Sequence, residues 1–241
     1  MGADVNSCAH DRNVNCGNCR LNSICMPLAL SGDEVVKLDE VVTRGRPIRK
    51  GSHLFEQDSD FRSIFAVRSG ALKTYRVTES GEEHVMGFYL PGEIVGIDGV
   101  SRHRYATSAI ALDTSAVCEI PFERIEQLSL QLPSLQRYMF QLMSREITDD
   151  QKMLSIVSRS TAEERVASVL LSLSARQARR QLSATEFLLP MSRQDLANFL
   201  GLTVETISRV LRRFKDDQIL AVEGKSISIL DAEGLRSAAS V

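Results

Sequence analysis

The sequence contains no apolar run long enough to cross a membrane, and its opening residues, MGADVNSCAHDRN, hold no apolar core of a secretion signal. We therefore expect a cytoplasmic protein with no membrane contact. The chain also lacks a glycine-rich nucleotide-binding motif, a second cysteine cluster motif and a triad-like constellation of catalytic residues. A redox enzyme or electron carrier is accordingly the weakest of the functional classes considered, and the prediction is a protein that is not an enzyme.

The composition is that of an ordinary globular protein with room for two domains and a sizeable core. Of 241 residues, 43% are hydrophobic and 25% are charged, and the net charge of −2 by itself does not point to nucleic acid. Changes in pattern along the chain predict four parts: a cysteine-rich arm at 1–30, a β-roll at 31–132, a dimerisation helix at 133–160 and a winged helix-turn-helix domain at 161–241.

Cysteine is scarce, and four of the five cysteines lie in the arm: Cys8, Cys16, Cys19 and Cys25. In a reducing compartment, such clustering indicates metal or redox chemistry rather than disulfides. The last three can converge on one centre, but a tetrahedral zinc or a cubane iron–sulfur site needs a fourth ligand. Cys118, in a strand-like run, is the candidate, which leaves Cys8 as a free thiol. A buried strand thiol remains the alternative for Cys118, and a dithiol redox pair the poorer alternative for the CxxC motif.

Residues 31–132 alternate short apolar runs with turns rich in glycine and proline, as is typical of a β-roll or barrel. A capped helix is predicted from Ser31 to Leu38, and a second short helix from Phe122 to Leu130. The clearest strands are predicted at Ser63–Val67, Ala71–Val77 and His84–Leu90.

The segment Pro133–Ser160 is predicted to be one long helix, because Pro133 suits a first turn and neither proline nor glycine follows. Residues recur along it at alternating steps of three and four, the spacing of a two-stranded coiled-coil seam. Asp150 falls in this series, and in a twofold pair its carboxylate would face its mate and repel it. A long helix that packs its apolar stripe on its own domain is the alternative. The seam positions are Phe140, Met143, Ile147, Asp150, Leu154 and Val157.

The clearest motif runs from Arg193 to Arg212, where small Ala197, a turn at Gly201 and spaced apolar residues predict a helix-turn-helix. A capping box at Thr161 begins the preceding helix, and the stretch Val222–Leu230 predicts a β-hairpin wing. From residue 175 to 215 the chain has eight basic and three acidic residues, the local surplus that a phosphate-facing surface needs.

The second helix of this motif is predicted to read bases in the major groove. Glu205, Ser208 and Arg209 share one face by their spacing. Arg209 can grip guanine, Glu205 can accept from cytosine, and Ser208 can touch thymine or a phosphate. An intrahelical pair between Glu205 and Arg209 is the alternative. The residues expected to meet phosphates are Arg212, Arg213 and Lys215.

Together these features resemble the CRP/FNR superfamily of bacterial regulators, and most closely its FNR/ANR oxygen-sensing branch. The resemblance covers nearly the whole chain, and its specific marks are the spacing of Cys16, Cys19 and Cys25, Cys118 in CEIPFE, MSREITDDQ and GLTVETISR. It implies an α+β fold, in which a cyclic-nucleotide-binding-like jelly roll precedes the long dimerisation helix and the winged helix-turn-helix.

The same resemblance implies a [4Fe-4S] cluster on those four cysteines, which oxygen converts to a [2Fe-2S] form so that the homodimer separates. It assigns repulsion to Asp150 and its control to Ile147, within a seam that includes Met143 and Leu154. It further implies double-stranded DNA with inverted TTGAT-like half-sites as a partner. RNA polymerase is the other implied partner, contacting the turn that contains Thr78, Gly81 and Glu82.

A regulator of the same fold that senses a small ligand, with zinc on the cysteines, is the rival prediction. Cyclic-AMP-binding relatives carry a Gly-Glu pair followed by an Arg-Ser or Arg-Thr pair that holds the phosphate. Gly92 and Glu93 are present, but the stretch containing Arg102 and Arg104 lacks the second pair. We therefore expect these arginines to lie on a surface loop.

Overall fold

The computed structural model describes residues 14–159 and 161–239. The chain divides into two compact units, Met1–Ser144 and Arg145–Val241. Cys8, which we predict to be a free thiol, lies outside the described residues. In the described part of the chain, none of the helices is long and apolar enough to span a membrane.

Seven α-helices are present among the described residues, and most begin at residues that suit a helix start. Ser31, Thr161 and Ser192 each form a capping box with the acidic residue three positions later. The helices are α1 (Gly32–Val41), α2 (Phe122–Gln131), α3 (Pro133–Arg159), α4 (Ala162–Arg179), α5 (Arg193–Leu200), α6 (Val204–Asp216) and α7 (Ala232–Ala238).

Strands of the first unit form two four-stranded sheets with the orders β1-β8-β3-β6 and β2-β7-β4-β5, and every pairing is antiparallel. These orders fit a β-roll, and the tight turns between β3 and β4 and between β4 and β5 are those predicted. The strands are β1 (Thr43–Arg44), β2 (His53–Phe55), β3 (Ser63–Ser69), β4 (Leu72–Val77), β5 (Glu83–Tyr89), β6 (Ile94–Val95), β7 (Ser108–Ala111) and β8 (Ala116–Pro121).

The core of the first unit lies between the sheets and extends to the helices and the arm. Strand β3 is buried at nearly every position because both of its neighbours, β8 and β6, pair with it. Leu135 and Tyr138 of α3 join this core, as does Met26 of the arm. The first turns of α3 are therefore anchored in the roll, and the Ser134 hydroxyl donates to Glu34 at the start of α1 at 2.9 Å.

The second unit packs helices α4 to α7 with a three-stranded antiparallel sheet in the order β10-β11-β9. The wing consists of β10 (Leu220–Glu223) and β11 (Ser226–Ile229), and β9 (Glu186–Leu188) pairs along β11. The sequence motifs did not predict β9 or α7. A three-residue strand gains its stability from its partner, so its own pattern is too short to indicate it.

Candidate functional site

The four described cysteines line one pocket, although Cys118 lies far from the other three in the sequence. Cys16, Cys19 and Cys25 come from the arm, and Cys118 comes from β8. None of them forms a disulfide. The rest of the lining is largely apolar, with two cationic side chains, Arg44 and Arg68. The fold thus brings together the residues that the sequence predicts as metal ligands.

Local hydrogen bonds hold the arm in position around the pocket. Asn15 and Asn18 each accept the other's backbone N–H at 2.9 Å, which closes the turn that carries Cys16. The N–H of Cys16 donates to the Asp39 carboxylate at 2.7 Å. Further along the arm, Ile24 packs so closely on Gly92 that a Cβ at that glycine would lie 2.7 Å from the Ile24 side chain. The arm is therefore packed onto the roll rather than standing away from it.

Burial makes three of the thiols that line this pocket hard to ionise in the metal-free protein. Burial raises the pKa of Cys25 to about 12, and it raises the pKa values of Cys16 and Cys118 as well. A thiolate needs nearby positive charge to form in such surroundings, and a bound metal would supply that charge when it replaces the protons. In the metal-free protein these three cysteines are therefore protonated thiols.

The donor set of this pocket, four cysteine sulfurs, is one that an iron–sulfur group can use. No group of three or more His, Cys, Asp or Glu among residues 14–159 and 161–239 is arranged to hold one metal ion. Cysteine sulfur is a ligand for zinc as well as for iron–sulfur clusters. Iron–sulfur clusters are held by cysteine thiolates, and four cysteines that line one pocket can supply them. We take the residues present to fit an iron–sulfur group.

Helix α3 exposes much of the predicted seam. Phe140 is 62% exposed, Ile147 is 59% exposed and Leu154 is 70% exposed, values that are high for large apolar side chains. Asp150 is exposed as well, while Met143 is half-buried. Partial burial, with the neighbouring Asp149 carboxylate as a second cause, raises the pKa of Asp150.

Val157, the last residue of the predicted seam, is less exposed than Phe140, Ile147 and Leu154. The side chain of Val157 is half-buried, and it lies within 3.9 Å of where a Cβ on Gly201 would stand. Val157 therefore faces the helix-turn-helix of its own unit. At this end, the helix follows the alternative in which the stripe packs on its own domain.

Helices α5 and α6 form the predicted helix-turn-helix. Gly201 ends α5 in the left-handed conformation, with φ of 63°. The Thr203 hydroxyl accepts the N–H of Thr206 at 3.2 Å and so caps α6. Ala197 is buried where the two helices meet, and the Arg165 guanidinium donates to the carbonyl oxygen of Leu200 at 3.0 Å.

The face of α6 predicted to read bases is open to solvent at Glu205 and Arg209, and Ser208 is half-buried. The Arg209 guanidinium donates to the Thr206 hydroxyl at 3.3 Å, and Arg193 of α5 donates to the Ser208 hydroxyl at 3.2 Å. Sequence reasoning singled out neither Thr206 nor Arg193 as a neighbour of the reading residues. The sequence offered one indication of this role for Arg193, since it is a basic residue directly after Ser192, which caps α5.

The residues predicted to contact phosphates are exposed, but two of them have acidic neighbours. Arg213 forms an ion pair with Glu163, and Arg212 lies 3.8 Å from Asp216. Exposed pairs of this kind contribute little energy, so a phosphate can displace them. Lys215 is also exposed.

The turn between β4 and β5 is exposed throughout and closes as an ordinary hairpin tip. Thr78 N–H donates to the carbonyl oxygen of Glu82 at 3.0 Å, and Gly81 takes φ of 84°. These bonds account for the shape of the turn without a partner. The contact with RNA polymerase therefore remains a prediction from the resemblance.

The residues compared above with a cyclic nucleotide site form hydrogen bonds within the roll. Glu93 accepts the backbone N–H of Leu90 at 2.8 Å, and Arg104 donates to the carbonyl oxygen of Asp58. Arg102 and Arg104 are exposed, as predicted for a surface loop.

A sensor roll joined by a long helix to a winged helix-turn-helix defines a DNA-binding transcription regulator. Comparison with known families agrees: residues 46–131 match the cyclic nucleotide-binding domain, and residues 164–238 match the Crp-like helix-turn-helix domain.

Two relatives place the chain more closely. The transcriptional activator protein Anr of Pseudomonas aeruginosa is 51% identical over 91% of this chain and 90% of its own length. The fumarate and nitrate reduction regulatory protein of Vibrio cholerae is 43% identical over 95% of this chain and 91% of its own. The chain belongs to the CRP/FNR family, in which its close relatives are FNR and ANR regulators, and this family consists of transcription regulators rather than enzymes.

The fold is also that of solved family members. The structure of FixK2 from Bradyrhizobium japonicum has a TM-score of 0.76 and 27% identity, over 82% of this chain and 97% of that one. The predicted fold class is therefore confirmed.

Proposed function

We propose that this protein is an oxygen-responsive transcription regulator, in which a [4Fe-4S] cluster promotes homodimerisation and DNA binding at low oxygen. The observation that carries the proposal is the pocket that joins Cys16, Cys19 and Cys25 of the arm to Cys118 of β8. These four cysteines would hold the cluster, which would supply the oxygen-sensitive redox chemistry. The close relatives include a protein named for fumarate and nitrate reduction, which supports an anaerobic role.

The residues of the chain convert occupancy of this pocket into a structural change. The arm and β8 are far apart in sequence, so ligation at both ties the arm to the roll core. Strand β8 runs directly into α2, and α2 into α3, whose first turns are packed in that core. Ordering the arm can therefore bias the helix that bears the dimer seam, and a few kcal/mol are enough to move a monomer–dimer balance.

The seam is poised rather than strongly self-associating. Phe140, Ile147 and Leu154 offer exposed apolar surface to a second copy, while Asp150 opposes pairing. In the proposed switch, Ile147 and the flanking Met143 adjust the packing against which that repulsion acts. Losing the ordered arm leaves the repulsion dominant, and the dimer separates.

The dimer would place two copies of α6 in successive major grooves, roughly 10 bp apart. We propose inverted half-sites resembling TTGAT, read by Glu205, Ser208 and Arg209. Arg212 and Arg213 would hold phosphates. The exposed turn at Thr78, Gly81 and Glu82 would contact RNA polymerase. These activities place the protein with the chromosome, in the bacterial cytoplasm.

The test is an absorption spectrum of anaerobically purified protein, with size-exclusion chromatography on the same sample before and after air. We expect a broad iron–sulfur band that bleaches in air while the dimer becomes a monomer. A colourless dimer that contains zinc and is indifferent to air would overturn the oxygen-sensor proposal. That result would leave the family and the DNA-binding fold intact, and it would favour the small-ligand alternative.

A further inference from the structure

Arg44 lies among the four cysteines and contacts the first of them. In the pairing of β1 with β8, Arg44 is directly opposite Cys118, and residues opposite each other in an antiparallel pair share one face of the sheet. From this position its guanidinium donates a hydrogen bond to the Cys16 sulfur at 3.3 Å. One side chain therefore bridges a ligand from the arm and a ligand from the roll.

Asp39 of α1 fixes this bridge. Its carboxylate forms an ion pair with the Arg44 guanidinium and also accepts the backbone N–H of Cys16 at 2.7 Å. The Arg44 side chain is only 13% exposed, so solvent screens it weakly. Carboxylate, guanidinium and cysteine thus form a closed set of contacts that ties the arm to β1 before any metal is present.

The positive charge of Arg44 has a use once a cluster is bound. Four thiolates carry more negative charge than the iron–sulfide core cancels, and burying that excess is costly unless cations lie nearby. Arg44 and the buried Arg68 both line the pocket, and Asp39 offsets only part of their charge. Hydrogen bonds to ligand sulfurs and adjacent charge are among the factors that set the reduction potential of such a site.

We propose that Arg44, oriented by Asp39, is a positioning residue of the cysteine site that clamps the arm to the roll and sets the reduction potential and air lifetime of the bound cluster. This role deepens the proposed function and rests on it. Removing the charge and the donor destabilises the more negative, reduced form. The potential then falls, and the cluster is lost sooner in air.

The experiment compares Arg44→Gln, Arg44→Lys and Asp39→Asn in the full chain, with Lys73→Gln as the matched control. Lys73 is a cation of the same roll, with a side chain that is 14% exposed, an ion-pair partner in Glu83 and a place outside the pocket lining. Each protein is reconstituted anaerobically with iron and sulfide. The reduction potential and the decay of absorbance in air are then measured.

For Arg44→Gln we expect a lower potential and a decay about tenfold faster than in the wild type, the scale of one charge-assisted hydrogen bond. Arg44→Lys keeps the charge and should retain most of the potential. Asp39→Asn should not lower the potential, because it removes a negative charge that offsets Arg44. Lys73→Gln should match the wild type.

A second measurement uses the cluster-free chain, so it does not depend on loading. Hydrogen exchange at the Cys16 amide should be about tenfold faster in Arg44→Gln and Asp39→Asn, because the clamp that protects it is lost. The Cys16 amide should also exchange faster in Arg44→Lys, because lysine lacks the planar guanidinium that makes two contacts at once. This variant replaces Arg44→Gln in the experiment if Arg44→Gln does not fold.

Three outcomes distinguish a failure of this inference from a failure of the proposed function. A wild type that holds its cluster while Arg44→Gln matches Lys73→Gln in potential and lifetime would overturn the role of Arg44 alone. Exchange at Cys16 as slow in Arg44→Lys as in the wild type would overturn the clamp. A wild type that takes up no iron would overturn the proposed function and, with it, the tuning role.

Discussion

At the scale of single residues, two arginines of α6 illustrate how neighbouring cations take different roles. Arg209 lies in the first half of the helix and donates to Thr206 at 3.3 Å, on the face with Glu205. Arg212 lies nearer the other end, beside Asp216. The N-terminal part of a recognition helix meets base edges. Of these two arginines, we therefore propose Arg209 as the one that reads sequence.

We expect Arg209→Ala to lose about 1–3 kcal/mol of discrimination at a guanine of the half-site, because a bidentate contact is removed. Arg212→Ala, the matched control, should weaken binding to all sequences alike and reduce the salt dependence by about one ion. Binding titrations with single-base variants of the half-site at several salt concentrations measure both. Equal weakening of every sequence by Arg209→Ala would contradict the base contact.

At the scale of structural elements, two hairpin turns of the roll allow the cost of a steric clash to be separated from the cost of backbone strain. Gly70 and Gly81 both have positive φ, at 78° and 84°. A Cβ on Gly70 would lie 2.7 Å from the Ser115 Cα and from the Thr114 carbonyl oxygen, whereas nothing lies within 4 Å of one on Gly81. A residue with a Cβ would have a strained backbone at either glycine, but only at Gly70 would the Cβ also clash with neighbouring atoms.

We expect Gly81→Ala to lower the free energy of unfolding by about 1–2 kcal/mol, the cost of a left-handed alanine. Gly70→Ala should cost clearly more, because the backbone at Thr114 and Ser115 must also shift. Denaturant unfolding of both variants measures the difference. Equal losses would show that the close approach at Gly70 is relieved freely.

In the proposed dimer, apolar attraction and charge repulsion compete along helix α3. We expect Asp150→Ala to shift the cluster-free chain toward dimer, since it removes the paired carboxylates and leaves the apolar seam. Asp149→Ala is the matched control, because Asp149 is adjacent but outside the seam and lies 3.9 Å from Lys152. Sedimentation measures the association constant. A monomeric Asp150→Ala protein would contradict the proposed seam.

The same carboxylate gives the dimer a dependence on pH. The raised pKa of Asp150, caused by its partial burial and by Asp149, means that it takes up its proton at higher pH than an ordinary aspartate. As pH falls through that raised value, the repulsion disappears, and dimer should increase. Sedimentation of the wild type and of Asp150→Ala over this acidic range measures the effect. The variant should lack this contribution.

At the scale of the whole molecule, the cysteine pocket and the seam should be separable parts of one switch. We expect Cys118→Ser to lose the cluster and remain monomeric without air, since the roll no longer supplies a ligand, while Cys8→Ser should behave as the wild type. Adding Asp150→Ala to Cys118→Ser should restore dimer and DNA binding without iron. Iron content, chromatography and DNA titration measure these properties. A double variant that stays monomeric would show that the cluster acts by another route.

The sequence by itself determined the elements whose signals are local. The capping boxes at Ser31 and Thr161, the uninterrupted run after Pro133 and the turn at Gly201 predicted helices within a few residues of their observed bounds. The CxxC spacing and the reading face of α6 are also local. Adjacent positions in a helix or turn fix their own relative geometry, so their pattern is sufficient.

Only the tertiary structure decided which distant groups meet. The sequence suggested Cys118 because the three arm cysteines need a fourth ligand and Cys118 is the cysteine outside the arm. The pairing of β8 with β3 and β1 places it at the pocket beside the arm. No sequence signal pointed to Arg44 or Asp39, because strand register and the approach of α1 bring them to Cys16. Val157 likewise fits the seam in sequence and faces its own domain in space. Such contacts arise from packing between elements, and the periodicity of one element carries no information about that packing.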